Sequence, residues 1–326
     1  MHRSVGIVAI GRNEGARLEA CLDSVVGRAV AVVYVDSGST DASVEAARAR
    51  GVDVVELDDA HPFTAARARN AGLERLLEVA ADVEFVQFVD GDCEVVDGWL
   101  AAAAAALQAD ANVAAVCGRR RERAPEASVY NLICDIEWDR PAGEADECGG
   151  DAMMRVASLR AVGGFNGALI AGEEPELCVR LRARGQRVLR LAAEMTRHDA
   201  AMTTWTQWWS RATRGGYAFA LVHSVTRGAI WGRQLRSILA YTVGLPVAVI
   251  AAAVAWTPWA LAALAAPVIG VLRIRARERA DGRSARAASA WAWSCMLGKL
   301  PGLFGVLAFQ LDRARGKRRA LIEYKR

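Results

Sequence analysis

The sequence predicts an α/β fold, a mostly parallel sheet with helices on both faces, joined to a C-terminal helical, membrane-associated region. Three observations predict it. Short apolar runs alternate with helix-period patterns across short connections, as βαβ units require. Polar clusters rich in Asp, Asn and Ser close the apolar runs. From Ile238 to Ile274 the chain is almost entirely apolar. We expect a first domain over residues 1–220 and the membrane-associated region over residues 221–326.

Residues 5–10 form the first apolar run and end in Arg12-Asn13-Glu14. Leu18, Cys21, Leu22 and Val25 then share one face of a helix. Residues 31–35 are a second strand, closed by Asp36 to Asp41, where Thr40 or Asp41 can cap a helix over residues 42–50. Residues 52–57 are the third strand, residues 64–80 a helix and residues 83–89 the fourth strand. That strand ends in Asp90-Gly91-Asp92. Glycine permits a sharp turn there, and two carboxylates can share a hard divalent cation that prefers oxygen ligands. Alone the triplet is a common polar turn. Ligands bind beyond the carboxyl ends of the strands in such sheets, and three polar clusters converge on that edge.

An alanine-rich helix over residues 98–110 follows from high helix propensity, then a strand over residues 114–118. Glu147 to Asp151 is a glycine-rich turn, and Val162-Gly163-Gly164-Phe165 is a glycine stop after a helix. Glu173-Glu174-Pro175-Glu176 opens another helix with acids and a proline in its first turn. Residues 187–191 look strand-like and lead to His198. Trp205, Trp208, Trp209 and Tyr217 line one side of a further helix.

Hydrophobic residues are 53% of the chain, and the excess lies in the C-terminal third. Residues of about 238–273 read as a helical hairpin broken at Thr257-Pro258, since a span needs about 20 apolar residues. Arginines flank it on both sides, from Arg227 to Arg236 and from Arg273 to Arg279, which places those flanks on the cytoplasmic side. Residues of about 288–311 are interrupted by Lys299 and Pro301, which suggests an interfacial or re-entrant helix. A second basic cluster, Arg313 to Arg319, follows it. Basic clusters beside apolar segments suit an anionic lipid surface, whereas the net charge of +4 is too small to argue for nucleic acid. Seven scattered cysteines without a Cys-x-x-Cys pair argue against a disulfide framework. The chain enters a strand at once, so we expect the first domain in the cytosol, at the inner face of the plasma membrane.

Six motifs in order and spacing resemble the family 2 glycosyltransferases over roughly the first 200 residues. They are residues 9–14, 35–41, 68–72, 89–92, 162–165 and 172–178, that is Ala-Ile-Gly-Arg-Asn-Glu, Val-Asp-Ser-Gly-Ser-Thr-Asp, Ala-Arg-Asn-Ala-Gly, Val-Asp-Gly-Asp, Val-Gly-Gly-Phe and Gly-Glu-Glu-Pro-Glu-Leu-Cys. The resemblance implies a nucleotide-diphospho-sugar transferase fold and a nucleotide-diphosphate sugar donor. It implies nucleotide contacts from Asn13, Glu14, Asp36, Arg69 and Asp90. Asp92, Asp90 and His198 would hold Mn²⁺ or Mg²⁺. Glu174 takes the place of the family's aspartate base, one methylene longer, with Glu173 as its substitute. Asp151, Trp208, Trp209 and Arg211 would touch the acceptor or the diphosphate.

The resemblance also departs from the processive synthases, whose Gln-x-x-Arg-Trp appears here rearranged as Gln207-Trp208-Trp209-Ser210-Arg211. Single transfer onto an acceptor hydroxyl, with a lipid-linked acceptor as one candidate, in exopolysaccharide or cell-envelope glycan assembly is the expectation. A polyprenyl-phosphate sugar synthase and a non-catalytic nucleotide-sugar-binding partner are the alternatives.

Overall fold

The computed structural model describes residues 4–316. Lys317, Arg318 and Arg319 of the second basic cluster lie outside the described residues. The chain packs as two compact units. One takes the chain up to Arg123 and again Trp138–Ala200; the other takes Ala124–Glu137 and the chain from Ala201 on. The expected division at residue 220 therefore differs from the one that packing draws. The aromatic helix around Trp208 goes with the C-terminal helices, because glycines let its backbone lie directly on one of them, as described below.

The first unit alternates as expected: β1 (Val5–Gly11), α1 (Ala16–Asp23), β2 (Val32–Asp36), α2 (Ser43–Ala49), β3 (Asp53–Glu56), α3 (Ala65–Val79) and β4 (Phe85–Asp90). Then come β5 (Cys93–Val95), α4 (Trp99–Ala109), β6 (Val113–Glu122), α5 (Val129–Trp138), β7 (Gly143–Glu144), β8 (Ala152–Arg155), α6 (Val156–Ala161), α7 (Glu173–Ala183) and β9 (Arg187–His198). Helix α5 belongs to the second unit up to Glu137. Strands β1 and β4 are buried almost throughout, which their continuous apolar sequence requires of strands covered on both faces. The Thr64 hydroxyl caps α3 by accepting from the Arg67 N–H. Gly72 lets α3 lie against the sheet: a Cβ there would stand 2.3 Å from Val8 Cγ1.

The sheet runs β3-β2-β1-β4-β8-β6-β9-β5, with β7 on β9. Strands β1 to β4 are parallel, whereas β8 is antiparallel to both β4 and β6. Two registers matter. Gly11 pairs with Asp36 and Ile10 with Asp90, so two carboxylates flank the end of β1. Cys93 pairs with His198 across β5 and β9, which sets the late histidine beside the turn that follows β4.

The second unit holds α8 (Trp205–Val225), α9 (Gly232–Leu239), α10 (Leu245–Ala255), α11 (Ala266–Ala280), α12 (Ala285–Leu297) and α13 (Lys299–Ala314). A π-helical turn joins α9 to α10, and a 3₁₀ segment, Pro258–Ala265, precedes α11. Three helical stretches are long and apolar enough to cross a membrane: Gly232–Ala255, Pro258–Ala280 and Ala285–Ala314. The third includes residues 288–311, expected to be interfacial. Pro301 falls in the first turn of α13, where a missing N–H costs least, so it does not shorten the helix. Lys299 donates to Ser237 Oγ at 2.7 Å and stands 5.2 Å from the Tyr241 ring centre, so its charge has partners within the helices. Glycines weld α8 to α13: a Cβ on Gly216 would lie 2.1 Å from Gly302 O, and one on Gly305 2.0 Å from Thr213 O.

Candidate active site

The site forms where β1, β2 and β4 end. Asp36 is buried, and its carboxylate closes its own loop. Oδ1 accepts from the Tyr34 hydroxyl at 2.9 Å and from Ser39 Oγ at 2.5 Å; Oδ2 accepts from the N–H groups of Gly38 and Ser39 at 2.9 and 2.7 Å. A carboxylate has about four acceptor positions, and the loop takes four hydrogen bonds from Asp36. Asn13, at a left-handed φ of 55°, ties the first loop to the second: its Oδ1 accepts from Thr40 N at 2.7 Å and its N–H donates to Ser39 Oγ at 2.9 Å. Glu14 pairs with Arg17 at 2.8 Å.

Arg69 projects from α3 and is buried. One of its nitrogens donates to Asp90 Oδ1 at 2.7 Å and the other to Glu173 Oε1 at 2.5 Å. Its guanidinium stands 5.7 Å from the Phe165 ring centre. The neighbouring Asn70 fixes that ring, since its amide donates to Phe165 O at 2.8 Å and accepts from Phe165 N at 2.9 Å. The motifs around Arg69 and Phe165, far apart in the chain, are thus two halves of one contact.

Asp151, fully buried, accepts from Asp90 N at 2.9 Å and Thr196 Oγ1 at 2.8 Å, and pairs with Arg120 at 2.9 Å. Burial alone would push this carboxyl up. The Arg120 guanidinium, the Asp90 N–H, Cys93 and Thr196 outweigh it and hold the group below the ordinary carboxylate value. Gly150 must be a glycine for this loop to pass so close: a Cβ would lie 2.8 Å from both Arg69 Nη2 and Asp90 Oδ2.

Asp92 turns to a second cluster. Its Oδ2 lies 3.3 Å from His198 Nε2, and Cys93 Sγ donates to its Oδ1 at 3.5 Å. Donor atoms of Asp92, Cys93 and His198 all lie within 4.8 Å of one another. The His198 ring packs edge-on to Trp138, with centroids 4.6 Å apart, and its Nδ1 is buried without a hydrogen bond. A carboxylate and an imidazole held this close fit a divalent cation that accepts oxygen and nitrogen donors. Asp90 instead faces the Arg69 guanidinium.

The two glutamates of α7 diverge. Glu173 spends one oxygen on Arg69. Glu174 is buried: its Oε1 accepts from Cys148 N, Cys148 Sγ and Cys178 Sγ at 2.8, 2.9 and 2.8 Å, and its Oε2 from Gly149 N at 2.8 Å. Trp208, Trp209 and Arg211 belong to the second unit, where Trp208 donates to Ser294 Oγ at 3.2 Å, Trp209 stacks near Phe304 and Arg211 pairs with Glu137 at 2.6 Å.

Sequence reasoning missed Cys93, Arg120 and Thr196. The signal for Arg120 was the basic run Arg119-Arg120-Arg121 closing the apolar start of β6; Cys93 and Thr196 carry no such signal.

Residues 4–162 match the model of the family described as glycosyl transferase family 2. A pre-mycofactocin glycosyltransferase of Mycobacterium tuberculosis is 29% identical over 214 residues, covering 61% of this chain and 43% of the relative. The chain thus spans less than half the length of the curated relative it matches. Among solved structures, the mannosyltransferase PcManGT of Pyrobaculum calidifontis, in complex with GDP-Man and Mn²⁺, aligns with a TM-score of 0.62 at 20% identity, covering 93% of this chain and 87% of that one. Glucosyl-3-phosphoglycerate synthase of Mycobacterium tuberculosis, in complex with Mg²⁺ and uridine-diphosphate, aligns with a TM-score of 0.50 at 20% identity, covering 68% and 79%. These two likenesses are of fold.

Proposed function

We propose that this chain, whose residues 4–162 match the family described as glycosyl transferase family 2, moves a sugar from a nucleotide-diphosphate donor to an acceptor hydroxyl, with inversion and with a divalent cation. The observation that supports this most is the 3.3 Å approach of Asp92 to His198 beside the Arg69–Asp90 pair. Asp92 and His198 would hold Mn²⁺ or Mg²⁺, the ions in the complexes of PcManGT and the glucosyl-3-phosphoglycerate synthase. Such an ion neutralises charge on a departing diphosphate. Arg69 supplies the planar donor pair suited to phosphate oxygens. Asn13, Glu14 and Asp36 shape the loops around the nucleotide, Asp36 chiefly through its own turn.

The general base is Glu173 in this reading, rather than Glu174. Glu174 is buried with both carboxylate oxygens already occupied by two N–H groups and two thiols. Glu173 is released when Arg69 turns to phosphate, and it then takes the proton from the acceptor hydroxyl. Inversion follows from attack on the face opposite the diphosphate. The apolar stretches, together with Arg273, Arg275, Arg277 and Arg279 at the end of α11, support work at an anionic membrane surface on the cytoplasmic side, on a lipid-linked acceptor of exopolysaccharide or envelope glycan assembly.

The deciding experiment assays purified protein against GDP- and UDP-sugars with Mn²⁺, Mg²⁺ or chelator. We expect turnover only with metal, and a fall of about 10²-fold or more in Asp92→Ala with folding retained. Turnover that ignores both metal and Asp92 would sink the metal-dependent reading. Flotation with anionic and neutral vesicles tests the membrane face.

A further inference from the structure

Glu174 poses a problem that the transfer reaction does not solve. It is a buried carboxylate whose hydrogen-bond partners are two backbone N–H groups and two thiols, none of them positively charged. Burying a carboxylate is costly unless it is well compensated, and a thiol is a weak donor.

The thiols are arranged in a particular way. Cys148 and Cys178 both point at the same oxygen of Glu174, and their sulfurs stand 3.7 Å apart. Cys178 lies one helical turn after Glu174, on the same face of α7. Cys148 comes from the loop before β8. Donor atoms of Cys148, Glu174 and Cys178 all lie within 4.8 Å of one another, and all three residues are buried. Tetrahedral zinc with Zn–S of about 2.3 Å sets its sulfurs about 3.8 Å apart. The two sulfurs therefore already span one edge of such a site. The carboxylate oxygen must retreat by about 0.6 Å to reach its own tetrahedral position.

We propose that Cys148, Cys178 and Glu174 bind a thiophilic divalent cation of the Zn²⁺ class, at a site separate from Asp92 and His198. Thiolate ligands select such an ion over Mg²⁺ or Mn²⁺. Binding replaces the S–H···O bonds with metal bonds, and Cys148 and Cys178 each lose a proton to solvent. The cation would staple two separate pieces of the first unit, the 147–151 loop and α7. The loop carries Asp151 to Asp90, and α7 carries Glu173 to Arg69. The site thus holds the geometry of the reaction centre without touching substrate.

The test uses the full chain, reduced with a phosphine and freed of metal, in the Asp92→Ala/Cys93→Ala background so that the other candidate cluster is gone. Added Co²⁺ should produce a thiolate-to-cobalt charge-transfer band in the near ultraviolet. One equivalent of Zn²⁺ should abolish the band, and at least two protons should be released per Zn²⁺ bound. Further substitution of Cys148→Ala and Cys178→Ala should remove the band. The proposal is overturned if the background protein shows no thiolate band, if the band survives that double substitution, or if Zn²⁺ releases no protons. The proton count in the background protein needs no change to Cys148 or Cys178, so it decides the matter even where the double substitution does not fold.

Discussion

Arg69 Nη1 donates to Glu173 Oε1 at 2.5 Å, joining α3 to the start of α7 across 104 residues of chain. The same guanidinium holds Asp90, so a single buried cation compensates two carboxylates. Removing it leaves Glu173 without its cation and Asp90 with the longer approach of Arg120 at 3.7 Å, and breaking a buried pair costs about 3–5 kcal/mol. Arg69→Met should lower the urea midpoint accordingly and weaken donor binding. Equal stability of variant and parent would mean that water replaces the guanidinium.

Glu173 and Glu174 should separate by readout. Glu173→Gln is expected to lower kcat by about 10²–10⁴-fold, as loss of a general base does, with a smaller loss of stability than Arg69→Met because the amide oxygen still accepts from Arg69 and Asp90 stays paired with it. In Glu174→Gln the loss should appear first in stability, because the amide cannot accept four hydrogen bonds in the same way. The reverse pattern would return the base to Glu174. Full turnover in Glu173→Gln would favour a phosphate acceptor, which is already ionised and needs no base, and hence a polyprenyl-phosphate sugar synthase.

Acid should act through Asp151. Its carboxyl is held below the ordinary value in the folded chain, so the unfolded chain binds that proton more readily. The contact network then contributes fully above about pH 4, the unfolded value, and is lost as pH falls through the lower folded value. Asp151→Asn should be less stable at neutral pH, and its stability should fall less steeply below pH of about 4 than that of the parent. Parallel acid-unfolding curves would contradict this.

Gly305→Ala tests the helical unit. The added methyl would meet Thr213 O at 2.0 Å and Tyr217 N at 2.5 Å, both backbone atoms that cannot swing aside. Overpacking of this kind costs about 1–3 kcal/mol. Thermal unfolding in detergent should report the loss, with GDP or UDP binding by the first unit unchanged. An unaltered transition would show that α8 and α13 part easily.

Much of the site was readable because its motifs are short and local. Asp36 folds its own loop, and Asn13 reaches only to the next one, so residue type and strand end together located them. Asn70 and Phe165 were readable as two motifs, though not as one contact. His198 was found as a late histidine, but its meeting with Asp92 depends on β5 pairing with β9. Arg120 and Thr196 come together only after register shifts between Cys117 and Arg120 of β6. A one-residue shift exchanges the faces of a strand, and no periodicity in the sequence reveals it.

By itself the sequence determined the alternation of β1 to β4 with their helices, the polar strand ends, and the apolar length of the C-terminal third. These follow from side-chain period and composition, which are properties of neighbouring residues. Only the tertiary structure decided that β8 enters antiparallel between β4 and β6, that Asp90 faces Arg69 while Asp92 faces His198, and that Glu174 turns to the thiols. Each of those outcomes depends on which distant strand pairs with which, and on competition among buried donors for a few carboxylate oxygens.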